Sequence, residues 1–185
     1  MIVSDAQREV RTVFLGGFPG QFVSGVVWLL SAGFATWGSR TQAILVLILG
    51  GSFIFPAAML LLRIMGRRTS LGSANPLGGL AMQVAFTIPA SYPIVWMAVQ
   101  HRPEWFYPAF MVVVGAHYLP FVFLYGMPHF AVLAVLMVAG AVGIVLKGPA
   151  DFAFGGWVTG LGLLAFAFLG LALAGREGGA AARSA

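Results

Sequence analysis

The stretch Gln42-Ala-Ile-Leu-Val-Leu-Ile-Leu-Gly-Gly-Ser-Phe-Ile-Phe-Pro-Ala-Ala-Met-Leu-Leu-Leu62 carries no charge from end to end and stops at Arg63. A bilayer's hydrocarbon core is about 30 Å thick and takes about 20 apolar residues of helix to cross. This run is long enough. It is apolar throughout, without the alternation of a barrel strand, so it reads as helix. Five further runs read the same way: Phe14–Trp37, Leu77–Val99, Tyr107–Tyr125, Phe130–Leu146 and Phe152–Ala174. The breaks between the six carry charge, Pro or Gly: Gly38 to Arg40, Arg63 to Pro76, His101 to Pro103, Gly126 to Pro128 and Lys147 to Pro149.

Composition agrees. The chain has 185 residues, 60% hydrophobic and 8% charged, where a soluble domain carries roughly 25% charged residues. Mean hydropathy is +0.95. The fold class is therefore all-α, a polytopic bundle of six transmembrane helices. The expected organisation is a head, 1–13, a membrane domain, 14–174, and a disordered tail, 175–185. Ser4-Asp5-Ala6-Gln7 fits a capping box that would open a short interfacial helix in the head.

The net charge of +5 does not point to nucleic acid, because the basic residues lie between apolar runs and read as topology signals. Arg8, Arg11, Arg63, Arg67, Arg68, Arg176 and Arg183 fall on one side, and Arg40, Arg102 and Lys147 on the other. Excess Lys and Arg stay inside, so both termini are expected in the cytoplasm and the chain in the cell (inner) membrane. Trp37, Trp96, Trp105 and Trp157 are expected to form an aromatic belt at the outer surface. Arg67 and Arg68, in the longest inner loop, are placed to meet anionic lipid headgroups.

Polar groups inside a membrane need explaining. Gln21 and Ser24 on the first span, Gln83 and Thr87 on the third, and His117 and Tyr118 on the fourth fall at or near mid-depth and could line one small cavity. The plainer reading is that Ser and Thr bond their own backbone, and that Gln21 and Gln83 pair as glue between helices. His117, the one deep ionisable group apart from tyrosine, is either a site residue or a neutral structural donor. Pro89 and Pro120 free the carbonyls of Ala85 and Ala116 within their spans. Gly16, Gly20 and Ser24 form one small-residue row and Gly156 and Gly160 another. Such rows let helices approach closely, within one chain or between copies.

Several chemistries are set aside. With no cysteine, disulfides and thiolate sites are excluded. No metal site or cofactor is expected, since His101 and Glu104 have no third ligand and His101 and His129 lie at opposite surfaces. Ser24-Gly25 with His117 lacks the rest of a serine-protease pattern. No phosphate-cradling loop is present. No Asp or Glu lies inside a span, against a carboxylate-coupled pump.

The segments Gly16–Trp28, Asn75-Pro-Leu-Gly-Gly-Leu-Ala-Met-Gln-Val-Ala-Phe86 and Arg102-Pro-Glu-Trp-Phe-Tyr-Pro-Ala-Phe-Met-Val-Val-Val-Gly-Ala-His-Tyr-Leu-Pro-Phe-Val-Phe-Leu-Tyr-Gly-Met127 resemble a family of small bacterial membrane proteins of unknown function. That likeness implies the membrane class and no established activity. A coarser likeness links chain size, span count and the Gly16, Gly20, Ser24 row to the substrate-binding subunits of energy-coupling-factor vitamin transporters. It implies a partner docking on that row. The leading expectation is a small-solute transporter or channel with a polar midplane site, embedded in lipid, homo-oligomeric, with a small-molecule ligand. The alternatives are a binding subunit that docks a partner membrane protein and, ranked last, a membrane enzyme acting on a lipid-like substrate.

Overall fold

The computed structural model describes residues 1–149 and 151–183, with 177–183 described as backbone only. The chain order is α1 (Val3–Val13), a 3-10 turn (Leu15–Gly17), α2 (Phe18–Trp37), α3 (Arg40–Ile64), α4 (Leu77–Ala90), α5 (Tyr92–His101), a second 3-10 turn (Pro103–Trp105), α6 (Phe106–Tyr125), α7 (His129–Lys147) and α8 (Phe154–Arg183). The described residues include six segments long and apolar enough to cross a membrane. They are Leu15–Trp37, Arg40–Ile64, Leu77–His101, Pro103–Tyr125, His129–Lys147 and Phe154–Arg176. The protein is a multi-pass helical membrane protein. Of the tail expected to be disordered, 175–185, the last two residues lie outside the described ones; the backbone before them continues α8 to Arg183.

Local chemistry sets the helix ends. The capping box expected at Ser4 does not form: α1 begins two residues earlier, and its N-cap, Ile2, makes no side-chain bond. The box forms instead at Ser39-Arg-Thr-Gln42, where the Ser39 hydroxyl accepts from the Gln42 N–H and the Gln42 side chain accepts from the Ser39 N–H. Gly126, at φ +63°, ends α6 in the left-handed region that glycine tolerates.

The spans are not equivalent. In the first and fourth, 44% of the apolar window is buried within the chain, against 11% in the second and third. The interior is therefore built on α2, α6, α7 and α8, with α3 flanking α2 and α4–α5 flanking α6. Trp28 and Tyr107 sit at its centre, 2% and 0% exposed, with ring centroids 5.8 Å apart. Beside them, the Ser31 hydroxyl donates to the Ala43 carbonyl at 2.7 Å and meets the Tyr107 hydroxyl at 2.7 Å. Ser31 has one hydrogen and spends it on Ala43, so Tyr107 donates to Ser31. Three helices are tied by that relay.

Glycine permits the close approach of α2 and α8. A Cβ on Gly16 would collide with the Gly170 carbonyl oxygen, and one on Gly170 would stand 2.7 Å from the Gly16 oxygen. Gly156 lies against Ala32 and Tyr107, and Gly160 against Leu29, so both face neighbours within the chain. Gly16 is not on the same helix as Gly20 and Ser24. It belongs to the turn Leu15-Gly16-Gly17, whose φ values are +49°, +64° and +88°. Gly20 has open space around it.

α1 is clasped at both flanks. Its buried face is Ala6, Val10 and Val13. Gln7 Nε2 donates to the Phe123 carbonyl at 2.5 Å, and an Arg11 guanidinium N–H donates to the Tyr125 carbonyl at 2.6 Å. Both carbonyls belong to the last turn of α6, which has no helical donors left for them. On the other flank Glu9 accepts from the Gly72 N–H at 2.7 Å and from Asn75 Nδ2 at 2.9 Å, with Arg68 3.8 Å away. The Gly72 bond, then Asn75, then the Arg68 charge hold the Glu9 carboxyl below its ordinary value of 4.5.

These contacts set measurable expectations. Gly16→Ala and Gly170→Ala should each destabilise the protein by about 1–3 kcal/mol through forced backbone shifts, while Gly20→Ala leaves its melting temperature unchanged within error; thermal unfolding in detergent measures both. Because Glu9 is depressed in the folded state, its contribution is present above its unfolded value and is lost as pH falls through the folded one. Hydrogen exchange at the Gly72 amide should therefore stay slow from neutral pH down to about 4.5 and lose protection below it, and Glu9→Ala should remove that protection at every pH.

Candidate functional site

The third span is not one helix. α4 ends at Ala90 and α5 starts at Tyr92, so the break falls near the middle of Leu77–His101. Pro89 has no N–H to offer the Ala85 carbonyl. The Ser91 N–H turns to Ile88 at 3.0 Å instead of continuing the helical ladder to Thr87. The Thr87 carbonyl is taken by the Ser91 hydroxyl at 2.7 Å, and the Thr87 hydroxyl in turn donates to the Val84 carbonyl at 2.7 Å. Side-chain hydroxyls thus satisfy backbone that water would otherwise have to reach.

His117 on α6 meets this break. Its Nδ1 lies 3.1 Å from the Thr87 hydroxyl oxygen. That hydroxyl has already given its proton to Val84, so it accepts here and His117 Nδ1 is the donor. A neutral imidazole protonated on Nδ1 leaves Nε2 with a lone pair, an acceptor and a base. The ring rests against Phe121, with centroids 4.9 Å apart. Across from the break, the Tyr92 hydroxyl reaches Ser52 of α3 and lies 3.7 Å from the position a Cβ on Gly51 would take. Ser52 donates to its own Ile48 carbonyl. Thr87 and Ser52 are exposed, and His117, Ser91 and Tyr92 are partly buried. Thr87 and Ser52 therefore stand at the surface of the chain rather than in its interior.

The structure brings His117 and Thr87 together, keeps the Tyr118 ring 5.8 Å from that of His117, and separates Gln21, Ser24 and Gln83 from them. Gln21 is 2% exposed and Ser24 6%, both in the interior of the bundle. Gln83 is exposed on α4, so the expected Gln21–Gln83 pair is not made. Gln21 lies near the hydroxyl of Tyr118 but has no hydrogen-bond partner among the described residues. Tyr118 faces inward and stacks on Phe130, with ring planes 14° apart. Arg67 and Arg68 stand at the opposite side of α1 from the α6 terminus, with Arg68 near Glu9.

Several residues escaped the sequence reading. His129, placed at the surface by its position beside a short turn, is 9% exposed; its ring is 4.2 Å from that of Phe130, and neither ring nitrogen has a hydrogen-bond partner among the described residues. Asn75, in the loop between the second and third spans, donates to Glu9 and to the Ala6 carbonyl and accepts from the Leu77 N–H. The four-residue spacing of Gln7 and Arg11 was a usable sign of a common face. Glu104 pairs with Arg40 at 3.4 Å rather than with His101. Among the described residues, no three His, Cys, Asp or Glu gather where they could hold a metal ion.

Residues 3–173 match a family described as "Family of unknown function (DUF7010)", and the chain belongs to that family. No curated protein and no solved structure matches it. Nothing found supports the likeness to energy-coupling-factor subunits.

The hydrogen-bond accounting at the break is open to a direct check. In protein labelled with 15N-histidine, the resonance that disappears in His117→Gln should report a neutral ring protonated on Nδ1. Thr87→Val should perturb that resonance and destabilise the fold by about 0.6–2 kcal/mol. A ring protonated on Nε2 would contradict the assignment.

Proposed function

We propose that this member of a family of unknown function holds a small solute at the broken third span and passes it across the membrane, as a transporter or channel. The observation that carries this reading is the break itself. A discontinuous helix at mid-depth, with hydroxyls and an imidazole gathered around it, is the kind of place where membrane transporters bind their cargo. The groups on offer are neutral hydrogen-bonding ones, and Glu104, the one carboxylate within the six spans, lies at the very start of its span beside Arg40, which favours an uncharged solute bearing O–H or N–H donors for His117 Nε2.

A second reading is favoured by Gln83. An amide left exposed on a membrane helix gains from a partner amide, so α4 is a surface for a second copy of this chain or for another membrane protein. Self-association would then run through α4, because Gly16, Gly156 and Gly160 are occupied within the chain.

The test is reconstitution in liposomes. Wild-type protein should speed glycerol or urea entry, followed by light scattering, and His117→Ala and Thr87→Val should slow it at least about tenfold while remaining folded, a loss of about 1.4 kcal/mol of barrier lowering. Entry no faster than in empty liposomes for every neutral solute tried would reject the transport reading. Since the chain has no cysteine, the Gln83→Cys variant carries a single thiol that can be crosslinked alone. A dimer joined through that thiol supports a second copy on α4, and no crosslink rejects it.

A further inference from the structure

Away from the broken span, on the membrane face that carries α1, the exposed side of α1 and the turn after α3 enclose an open groove of about 540 Å3, lined by Asp5, Arg8, Glu9, Gly66, Arg67 and Arg68 among others. Both walls are held in place. Gly66 takes φ +67°, and the Arg67 N–H bonds back to the Leu62 carbonyl at 2.9 Å. That left-handed turn folds Arg67 and Arg68 toward α1 instead of letting the chain run on from α3. Arg68 stands 3.8 Å from Glu9, within range of its charge but not hydrogen-bonded to it, and its side chain is largely exposed.

The charges in the groove do not cancel. Glu9 is already occupied by the Gly72 N–H and Asn75. Asp5 sits 3.8 Å from Arg8, too far for a hydrogen bond, and both side chains are largely exposed. Three guanidinium groups therefore share one opening with one committed carboxylate and one loosely held. Guanidinium groups match the oxygens of phosphate in geometry as well as charge. The depth points the same way. α1 runs directly into the first span, which starts at Leu15, and Arg67 follows the end of the second span, Ile64, by one turn. This is the level of lipid phosphates. The volume suits a headgroup-sized ligand.

We propose that this groove binds a phosphate-bearing anion through Arg8, Arg67 and Arg68. The phosphate can belong to an anionic lipid headgroup, with its acyl chains along α3, or to a soluble phosphate ester. The proposal does not depend on transport: the groove shares no residue with the Thr87–His117 site.

The experiment uses full-length protein in phosphatidylcholine nanodiscs and reads the melting temperature in two arms. One arm titrates phosphatidylglycerol into the disc; the other adds soluble glycerol phosphate. Arg8→Gln with Arg67→Gln leaves the Arg68–Glu9 contact in place, and Lys147→Gln removes a charge at the opposite membrane face. Stabilisation by phosphatidylglycerol alone, with the half-saturating fraction raised about fivefold per arginine removed and unchanged in Lys147→Gln, assigns a lipid headgroup. Stabilisation by glycerol phosphate with the same arginine dependence assigns a soluble ester. If the double variant is poorly folded, Arg67→Gln carries the same test with a single step. No stabilisation in either arm, or equal stabilisation of wild type and the arginine variants, overturns the proposal.

Discussion

The relay from Tyr107 to Ser31 to the Ala43 carbonyl ties the interior together. In water such a bond contributes little, because solvent competes for every group. In hydrocarbon the competitor is gone, and helices gain no hydrophobic energy by meeting each other. What holds them is close packing and the bonds that lipid cannot offer. Ser31 and Tyr107 provide both: they bring α2, α3 and α6 to one point and let Trp28 pack on Tyr107 and Phe110. From that point α2 reaches α8 through glycine, and α6 reaches α7.

The same scarcity of donors shapes the periphery. At the break in the third span, the Thr87 carbonyl that the ladder leaves behind is met by the Ser91 hydroxyl, and the Thr87 hydroxyl is met by His117. At the end of α6, Gln7 and Arg11 supply donors to carbonyls that the helix has run out of means to satisfy. Both places solve one problem. The difference is exposure: Leu124 and Tyr125 at the α6 terminus are buried, while Thr87 at the break is exposed, which is why the break is the better candidate for exchange with a solute.

The membrane class and all six spans were legible in the sequence, because twenty-odd apolar residues between charges have one physical meaning. The Thr87–His117 association was legible only as common depth. Depth says nothing about which way a helix is rotated, and rotation is what put Gln21 inside and Gln83 outside. The Ser4 capping box shows a related limit: its residues satisfy the pattern, but burial of Ala6, Val10 and Val13 fixes where α1 lies, and the box that forms is at Ser39. The small-residue rows identified glycines that matter without saying what they touch. Gly170, the partner of Gly16, belongs to neither row, and Asn75 could not be read as anything but loop without knowing that Glu9 stands beside it.

The clasp on α1 also has a direction in time. α1 precedes in the chain every group that clasps it, so none of them exists when α1 is made. Gly72 and Asn75 appear only after the second span has been made, and the carbonyls of Phe123 and Tyr125 only after the fourth. Until then an amphipathic segment with one apolar stripe must wait at the bilayer surface. Its docking closes the first half of the chain onto the fourth span, so α1 reaches its final place only after residues more than a hundred positions later have been made.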